Sequence, residues 1–143
     1  MKKGYIFVFI QFTLVILIFL TGPNIPSNLL FLGLFVMGIF VGLVAFWNMR
    51  VSKLRTNPEV AEGSKLVTKG IYRYIRHPMY LGLILVSISL VLDYLTFFRI
   101  ILFDLLVLNQ ILKLNYEEKL LEKHFKDYDE YKKKTKRLIP FIY

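Results

Sequence analysis

The segment Gly70-Ile-Tyr-Arg-Tyr-Ile-Arg-His-Pro-Met-Tyr-Leu-Gly82 decides how this chain folds, because it joins a basic stretch to an apolar run. It contains two arginines, a histidine and three tyrosines, and it leads into residues 81–92, which carry no charge. Charged and aromatic groups at the end of a membrane helix are costly and usually functional. The segment therefore predicts a membrane helix whose inner end forms a functional site.

Pro78 marks the start of that helix. Proline is well tolerated at a first helical position, since its missing N–H would have no partner there, and it pushes the preceding His77 out of helical geometry. We therefore expect His77 to cap the helix, Tyr80 to face the same inner end, and the first-turn N–H groups to suit an anion. Gly82 would let another group approach the backbone closely. Simple interfacial anchoring would require no histidine, and no proline and glycine in these places.

Composition and charge indicate a membrane protein rather than a nucleic-acid-binding one. The chain has 143 residues, enough for one domain, and its hydrophobic fraction of 56% is high for a soluble domain of this size. The basic residues behind the net charge of +9 cluster within residues 1–3, 50–76 and 113–137, and Arg99 is the only basic residue in the apolar runs between them. Membrane proteins keep basic residues on the cytoplasmic side. We expect membrane lipid, and no nucleic acid, as a partner.

Metal chemistry is not expected from this sequence. The absence of cysteine excludes disulfides and thiolate metal sites. His77 and His124 are far apart and lack a metal-ligand spacing. We therefore predict no metal site.

Four apolar runs predict an all-α integral membrane protein with about four transmembrane helices and a C-terminal cytoplasmic amphipathic helix. The first run follows two lysines, as a signal peptide would, but no small-x-small cleavage site comes after it, so we expect it to be retained. Both termini would then be cytoplasmic, and the composition favours the inner membrane of a prokaryote. The runs cover residues 5–20, 29–47, 78–92 and 95–112.

We expect one membrane domain, residues 1–143, in four parts. Within the second run, Gly38 and Gly42 form a small-xxx-small pair that would let a neighbouring helix approach. Asp104 lies in the middle of the fourth run, where an unpaired charge is expensive, so we expect it to be protonated, paired or facing a cavity. The parts are two N-terminal spans (1–47), a cytoplasmic connection (48–77), a helical hairpin (78–112) and a cytoplasmic cap and tail (113–143).

Residues 113–137 are strongly amphipathic, and we expect them to form a cytoplasmic helix against the membrane face. His124 falls on the apolar side, which predicts a packing position. Pro140 ends any helix in the tail. The apolar side consists of Tyr116, Leu120, Leu121, His124, Phe125, Tyr128 and Tyr131.

The ordered set of motifs resembles the isoprenylcysteine carboxyl methyltransferase family and its phospholipid methyltransferase relatives. The likeness covers about residues 65–140, more than half of the chain. The matching motifs are Leu66-Val67-Thr68-Lys69-Gly70-Ile71-Tyr72, Arg76-His77-Pro78-Met79-Tyr80-Leu81-Gly82, Glu117-Glu118-Lys119-Leu120-Leu121, Phe125, Tyr131 and Arg137-Leu138-Ile139-Pro140.

This resemblance implies a membrane enzyme that uses S-adenosylmethionine and acts on a lipophilic small molecule or lipid. It places Glu117 as an acid that contacts the cofactor, and Asn57 as a further polar contact. The cofactor-binding residues that it implies are Leu66, Val67, Gly70, Tyr72, His77, Pro78, Met79, Tyr80 and Glu117.

The same resemblance assigns Lys113 and Glu118 to the chemistry. Lys113 stands where the family has an arginine implicated in substrate contact; it keeps the charge but not the bidentate fork. The interval from Phe125 to Tyr131 is also one residue shorter than usual. A carboxylate acceptor needs no general base, whereas an amine requires one, and His77 or Glu118 could serve. We expect carboxyl methylation of an isoprenylcysteine-like acceptor, with phospholipid-amine N-methylation or a non-catalytic membrane scaffold as alternatives.

Overall fold

The computed structural model describes residues 3–50, 65–140 and 142–143. The described residues form five α-helices and one 3-10 helix and contain no β-strand, so the predicted all-helical fold is confirmed. The helices are α1 (Lys3–Leu20), α2 (Leu29–Arg50), the 3-10 helix (Gly70–Arg73), α3 (Pro78–Asp93), α4 (Phe97–His124) and α5 (Tyr128–Lys134).

Two helices, α1 and α2, are long and apolar enough to cross a membrane. They have 18 and 22 residues, which is close to the ~20 residues that an upright span requires. Helix α3 is equally apolar in character but has 16 residues. The described part of the chain therefore contains two candidate spans and a shorter apolar helix.

Helix α4 is longer than the sequence predicts. It continues through Lys113 to His124, 28 residues in all, because neither proline nor glycine interrupts it. A helix of this length measures about 42 Å, which exceeds the ~30 Å hydrocarbon core of a bilayer. The predicted amphipathic helix is thus the last part of α4, a turn at Phe125 and the short α5.

The helices pack in two pairs, α2 with α3 and α1 with α4. A Cβ atom added to Gly82 would lie 2.8 Å from the Gly38 carbonyl oxygen and 2.9 Å from the Gly42 nitrogen. A Cβ atom on Gly38 would lie 2.8 Å from the Val86 nitrogen. The predicted close approach is confirmed at Gly38 and Gly82, and the group that approaches Gly82 is the backbone of α2. A Cβ atom on Gly42, in contrast, would meet nothing within 4 Å.

Polar contacts close the end of the bundle that is remote from His77. The Asp93 carboxylate accepts hydrogen bonds from the backbone nitrogens of Ser27 and Asn28, both at 2.9 Å, and so holds the start of α2. The Arg99 guanidinium is fully buried and donates to the Ile18 carbonyl oxygen at 3.2 Å. These contacts join the end of α3 to the start of α2, and the start of α4 to the end of α1.

Two side chains lie elsewhere than expected. Asp104 is exposed on the outer face of α4 and does not line the cavity described below. His124 is also exposed, and its ring packs edge-on against Phe125 with 4.8 Å between centroids, so it packs only locally. Helical periodicity places a residue on a face of its helix, but it does not show which neighbour covers that face.

Candidate functional site

The C-terminal segment is fastened to the residues that precede α3. The Arg76 backbone nitrogen donates to the Lys136 carbonyl oxygen at 2.8 Å, and the His77 nitrogen donates to the Arg137 carbonyl oxygen at 3.0 Å. In return, the Lys136 nitrogen donates to the Tyr74 carbonyl oxygen at 3.0 Å. This short parallel bridge satisfies backbone groups beside Pro78 and brings the basic tail over the inner end of α3.

His77 caps α3 and Pro78 is its first residue, as predicted. The His77 ring stacks on Tyr80 with 5.2 Å between centroids and 8° between planes. Its Nδ1 lies 3.8 Å from Glu117 Oε2, and its Nε2 lies 3.3 Å from Glu118 Oε1. The two motifs that are about forty residues apart in sequence therefore meet at one histidine.

Glu118 is the centre of a buried ionic cluster. Arg76 Nε lies 2.7 Å from its Oε1, and Arg137 Nη2 lies 3.2 Å from its Oε2. The residue follows the apolar run 95–112 and is only 3% exposed. Burial opposes its ionisation, but hydrogen bonds from His77 and Arg76, with the charge of Arg76, lower the pKa of Glu118 to about 2. The carboxyl is therefore a fixed anion rather than a proton acceptor.

The Arg76 guanidinium joins three parts of the chain. Besides Glu118 on α4, it donates through Nη1 to the carbonyl oxygens of Thr135, at 2.6 Å, and Lys132, at 3.1 Å. A guanidinium suits this role because its planar fork can donate in several fixed directions. The sequence singled out Arg76 within its motif but gave it no role of its own.

Lys113, Tyr80 and Glu117 form a second cluster of polar side chains. Tyr80 Oη donates to Glu117 Oε2, and Lys113 Nζ lies 4.8 Å from the centre of the Tyr80 ring. Gln11 of α1 accepts a hydrogen bond from Lys113 Nζ at 2.8 Å. Lys113 is only 2% exposed, so its ammonium is held by these neighbours and not by bulk water.

These groups surround a cavity of about 220 Å³. Most of its lining atoms are apolar, as is usual for small-molecule sites that carry a few placed polar groups. The predicted site residues that line it are Leu66, Val67, Tyr72, His77, Met79, Tyr80, Lys113 and Glu117.

Three predicted site residues lie outside the lining. Pro78 starts α3, and Glu118 lies behind His77 and Arg76. Gly70 has a φ of +63°, and a Cβ atom there would lie 2.5 Å from Asn48 Nδ2, so the 3-10 helix needs glycine at this position. Asn57 lies outside the described residues. The roles assigned to individual residues remain predictions.

Sequence reasoning missed part of the cavity wall. Helix α1 contributes an amide and two apolar groups, and the only sequence signal was that Gln11 interrupts an otherwise apolar run. Tyr128 and Tyr131 lie on the amphipathic stripe, which indicates burial but not a ligand. The lining residues that were not predicted are Val8, Gln11, Phe12, Met49, Arg76, Leu83, Leu121, Tyr128 and Tyr131.

Three buried tyrosines line the end of the cavity that is formed by the 3-10 helix and α5. Tyr131 Oη donates to the Tyr72 carbonyl oxygen at 2.6 Å. Tyr128 Oη is buried and has no hydrogen-bond partner among the described residues. Burial raises the pKa of all three well above the usual range of tyrosine, so their hydroxyls are neutral. In the described part of the chain, no three or more histidines, aspartates and glutamates gather as metal ligands.

Apolar helices, and a mostly apolar cavity with a few charged groups at one end of the bundle, indicate a membrane protein with an internal small-molecule site. Residues 28–128 match the phospholipid methyltransferase family, and the chain belongs to that family. It is thus a membrane methyltransferase by family, a class that normally uses S-adenosylmethionine. No curated protein matches the chain. The match identifies the broader family that was predicted and does not single out its isoprenylcysteine carboxyl methyltransferase members.

Proposed function

We propose that the chain transfers the methyl group of S-adenosylmethionine to a lipid acceptor that enters the cavity from the bilayer. The observation that carries the proposal is the single cavity that His77, Tyr80, Lys113 and Glu117 share at one end of apolar helices. Because this cavity combines an apolar lining with both signs of charge, it suits a charged donor and a lipophilic acceptor together.

Four spans with both termini in the cytoplasm form the proposed topology. Supporting this, Asp93 and Arg99 lie at the end of the bundle remote from the cavity, whereas Lys113, Arg76 and the basic tail lie at the cavity end. Helix α3 is short for a span, so we infer local thinning of the bilayer or a wedge-like α3–α4 hairpin. The projecting end of α4 and α5 form the cytoplasmic cap.

The cavity residues fit the methyl donor. When bound, S-adenosylmethionine supplies a methyl group on a sulfonium cation. The neutral aromatic face of Tyr72 can stabilise a cation by about 0.5–2 kcal/mol, and the Glu117 carboxylate can accept hydrogen bonds from ribose hydroxyls or the ammonium group. The Tyr128 hydroxyl, which no described residue hydrogen-bonds, provides a further donor.

Lys113 is proposed to hold the anionic part of the acceptor. Its ammonium faces the cavity between Gln11 and the Tyr80 ring, beside the apolar side chains of Phe12 and Leu83. A lysine binds phosphate as a point charge without needing a bidentate fork. We therefore favour a phospholipid headgroup amine as the acceptor, in agreement with the matched family.

Alignment of the methyl donor with the acceptor supplies most of the rate enhancement in such a transfer. The acceptor lone pair forms the new bond to carbon while the carbon–sulfur bond breaks in line, and positioning alone can contribute roughly 7–11 kcal/mol in favourable cases. An amine acceptor must lose a proton, and we assign that role to His77, which lines the cavity. Glu118, which is held ionised by Arg76, is proposed to position His77 rather than to react.

Carboxyl methylation of a prenylated cysteine is the second candidate. Both acids are already bonded within the protein, Glu117 to Tyr80 and Glu118 to Arg76, which disfavours either as a general base. This favours a carboxylate acceptor, because methylation of a carboxylate needs no base. The two candidates leave different products, an ester or a methylated amine.

The test is a methyl-transfer assay with the protein in lipid nanodiscs. Tritiated methyl donor is supplied with aminophospholipid vesicles in one arm and with a prenylcysteine analogue in the other. Base-stable label in the phospholipid supports N-methylation, and base-labile label in the prenylcysteine supports the second candidate. Absence of transfer in both arms, with no donor binding, would support the scaffold alternative.

A further inference from the structure

Tyr128 carries a hydroxyl that no other described residue hydrogen-bonds. The residue is 1% exposed and lines the cavity, yet its Oη has no hydrogen-bond partner among the described residues. Its neighbour Tyr131, whose ring lies 5.9 Å away, has its hydroxyl bonded to the Tyr72 carbonyl oxygen at 2.6 Å. Of these two neighbouring tyrosines, Tyr131 has a hydrogen-bond partner within the described part of the chain and Tyr128 has none.

A buried hydroxyl without a partner destabilises a fold, and such groups are uncommon in native proteins. Phenylalanine would fill the same space without that disadvantage. The Tyr128 hydroxyl therefore calls for a partner that arrives with a ligand of the cavity.

The order of groups along α4 indicates which part of a ligand lies beside Tyr128. Lys113, Glu117 and Leu121 are four residues apart, on one face of the helix, and all line the cavity. They span about 12 Å at 1.5 Å per residue. The cavity therefore runs from a cation, past a carboxylate, to an apolar end, where Tyr128 packs with Leu121 and Tyr131.

That apolar end fits a purine. The ring of Tyr128 lies in a cluster with Leu121 and Tyr131, against which Leu66 and Phe125 also pack. The purine is the flat, aromatic part of an adenosyl donor, and its ring nitrogens accept hydrogen bonds. The charged parts of the donor match the position of Glu117 better.

We propose that Tyr128 Oη donates a hydrogen bond to a purine ring nitrogen of the methyl donor and so contributes to nucleoside recognition by the cap. The inference rests on the proposed use of S-adenosylmethionine. Tyr128 is the last residue of the matched segment, and the remainder of α5 lies beyond it.

The test compares Tyr128→Phe with Tyr131→Phe in the full chain. Affinities for S-adenosylhomocysteine and for adenosine are measured by calorimetry, and thermal unfolding is followed without ligand. Tyr128→Phe should weaken both ligands about three- to tenfold, while the unliganded protein unfolds at the same or a higher temperature. Tyr131→Phe should lower the unfolding temperature, because it removes a bond that the folded protein makes.

Deaza analogues of adenosine provide a second readout in the wild-type protein. In the wild-type protein, replacing N1, N3 or N7 of adenosine by carbon should weaken binding at one of the three positions only. With that analogue, Tyr128→Phe should cause no further loss of affinity. This readout stays available if the variant does not fold.

Several results would overturn the inference. They are unchanged affinity of Tyr128→Phe, a loss confined to S-adenosylhomocysteine, no sensitive ring nitrogen, or destabilisation equal to that of Tyr131→Phe. In each case the wild-type protein would still bind S-adenosylhomocysteine. Failure of the wild-type protein to bind it would instead contradict the proposed function.

Discussion

The buried cluster around Glu118 gives the sharpest prediction about stability. Glu118→Gln keeps the size of the side chain but removes the negative charge that Arg76 and His77 contact at 2.7 and 3.3 Å. Both partners are also buried, at 8% and 5% exposure, so water cannot replace the lost carboxylate. Removing one partner of a buried ion pair typically costs about 3–5 kcal/mol.

The expected loss lies near the lower end of that range, about 3 kcal/mol, because glutamine still accepts one hydrogen bond. For a chain of this length, that loss corresponds to a decrease of roughly 10 °C in the unfolding temperature. The matched control is Glu130→Gln on α5, where the carboxylate lies 3.9 Å from Lys134 and both side chains are more than three-quarters exposed. A surface pair of this kind contributes well under about 1 kcal/mol.

Unfolding of the wild type and both variants is measured in the same detergent by circular dichroism. The reasoning requires a large decrease for Glu118→Gln and almost none for Glu130→Gln. Equal unfolding temperatures for the two variants would refute the assignment of Glu118 as a buried anchor.

The pH dependence supplies an independent check. The pKa of Glu118 is about 2 in the folded protein and about 4.3 in an unfolded chain. Its contribution to stability is therefore fully present above about pH 4.3 and is lost as the pH falls toward 2. The stability difference between wild type and Glu118→Gln should shrink as the pH falls from about 4.3 toward 2; a difference that stays unchanged over that range would contradict this pKa.

Three further predictions concern the packing and the cavity. Gly82→Ala should destabilise the protein by about 1–3 kcal/mol, because its Cβ would meet the α2 backbone at 2.8 Å. Gly33→Ala is the control and should not destabilise the protein, because a Cβ there would have no atom within 4 Å. Thermal unfolding of the two variants measures the difference. Tyr80→Phe removes the bond to Glu117 and should weaken S-adenosylmethionine binding about three- to tenfold in calorimetry. Lys113→Met should raise the acceptor KM at least tenfold in the transfer assay and change donor affinity little; a selective loss of donor affinity would contradict its assignment.

The local features of the fold could be predicted because they depend on neighbours in sequence. Proline geometry placed the start of α3 at Pro78 and the cap at His77. The glycine spacing in α2 predicted a close helix contact, and the structure adds Gly82 as the partner. The length of α4 was underestimated because its change from apolar to amphipathic character was interpreted as a boundary, although nothing there breaks a helix.

The site could be predicted only in part, because its assembly depends on contacts between distant segments. Motif order brought His77 and Glu117 into one predicted site, and they lie 3.8 Å apart. No pattern in a single sequence pairs Gln11 with Lys113, or closes Arg76, Glu118 and Arg137 into one cluster. These pairings follow from the packing of α1 on α4 and from the bridge that binds the tail to α3.

Equilibrium binding of S-adenosylmethionine to the protein in lipid nanodiscs tests the central claim most directly. The cavity that His77 and Glu117 line should bind S-adenosylmethionine saturably, with one site per chain. Glu117→Gln should weaken that binding, and the exposed Glu130→Gln should leave it unchanged. A folded wild-type protein that shows no saturable binding in nanodiscs or in detergent would contradict the account.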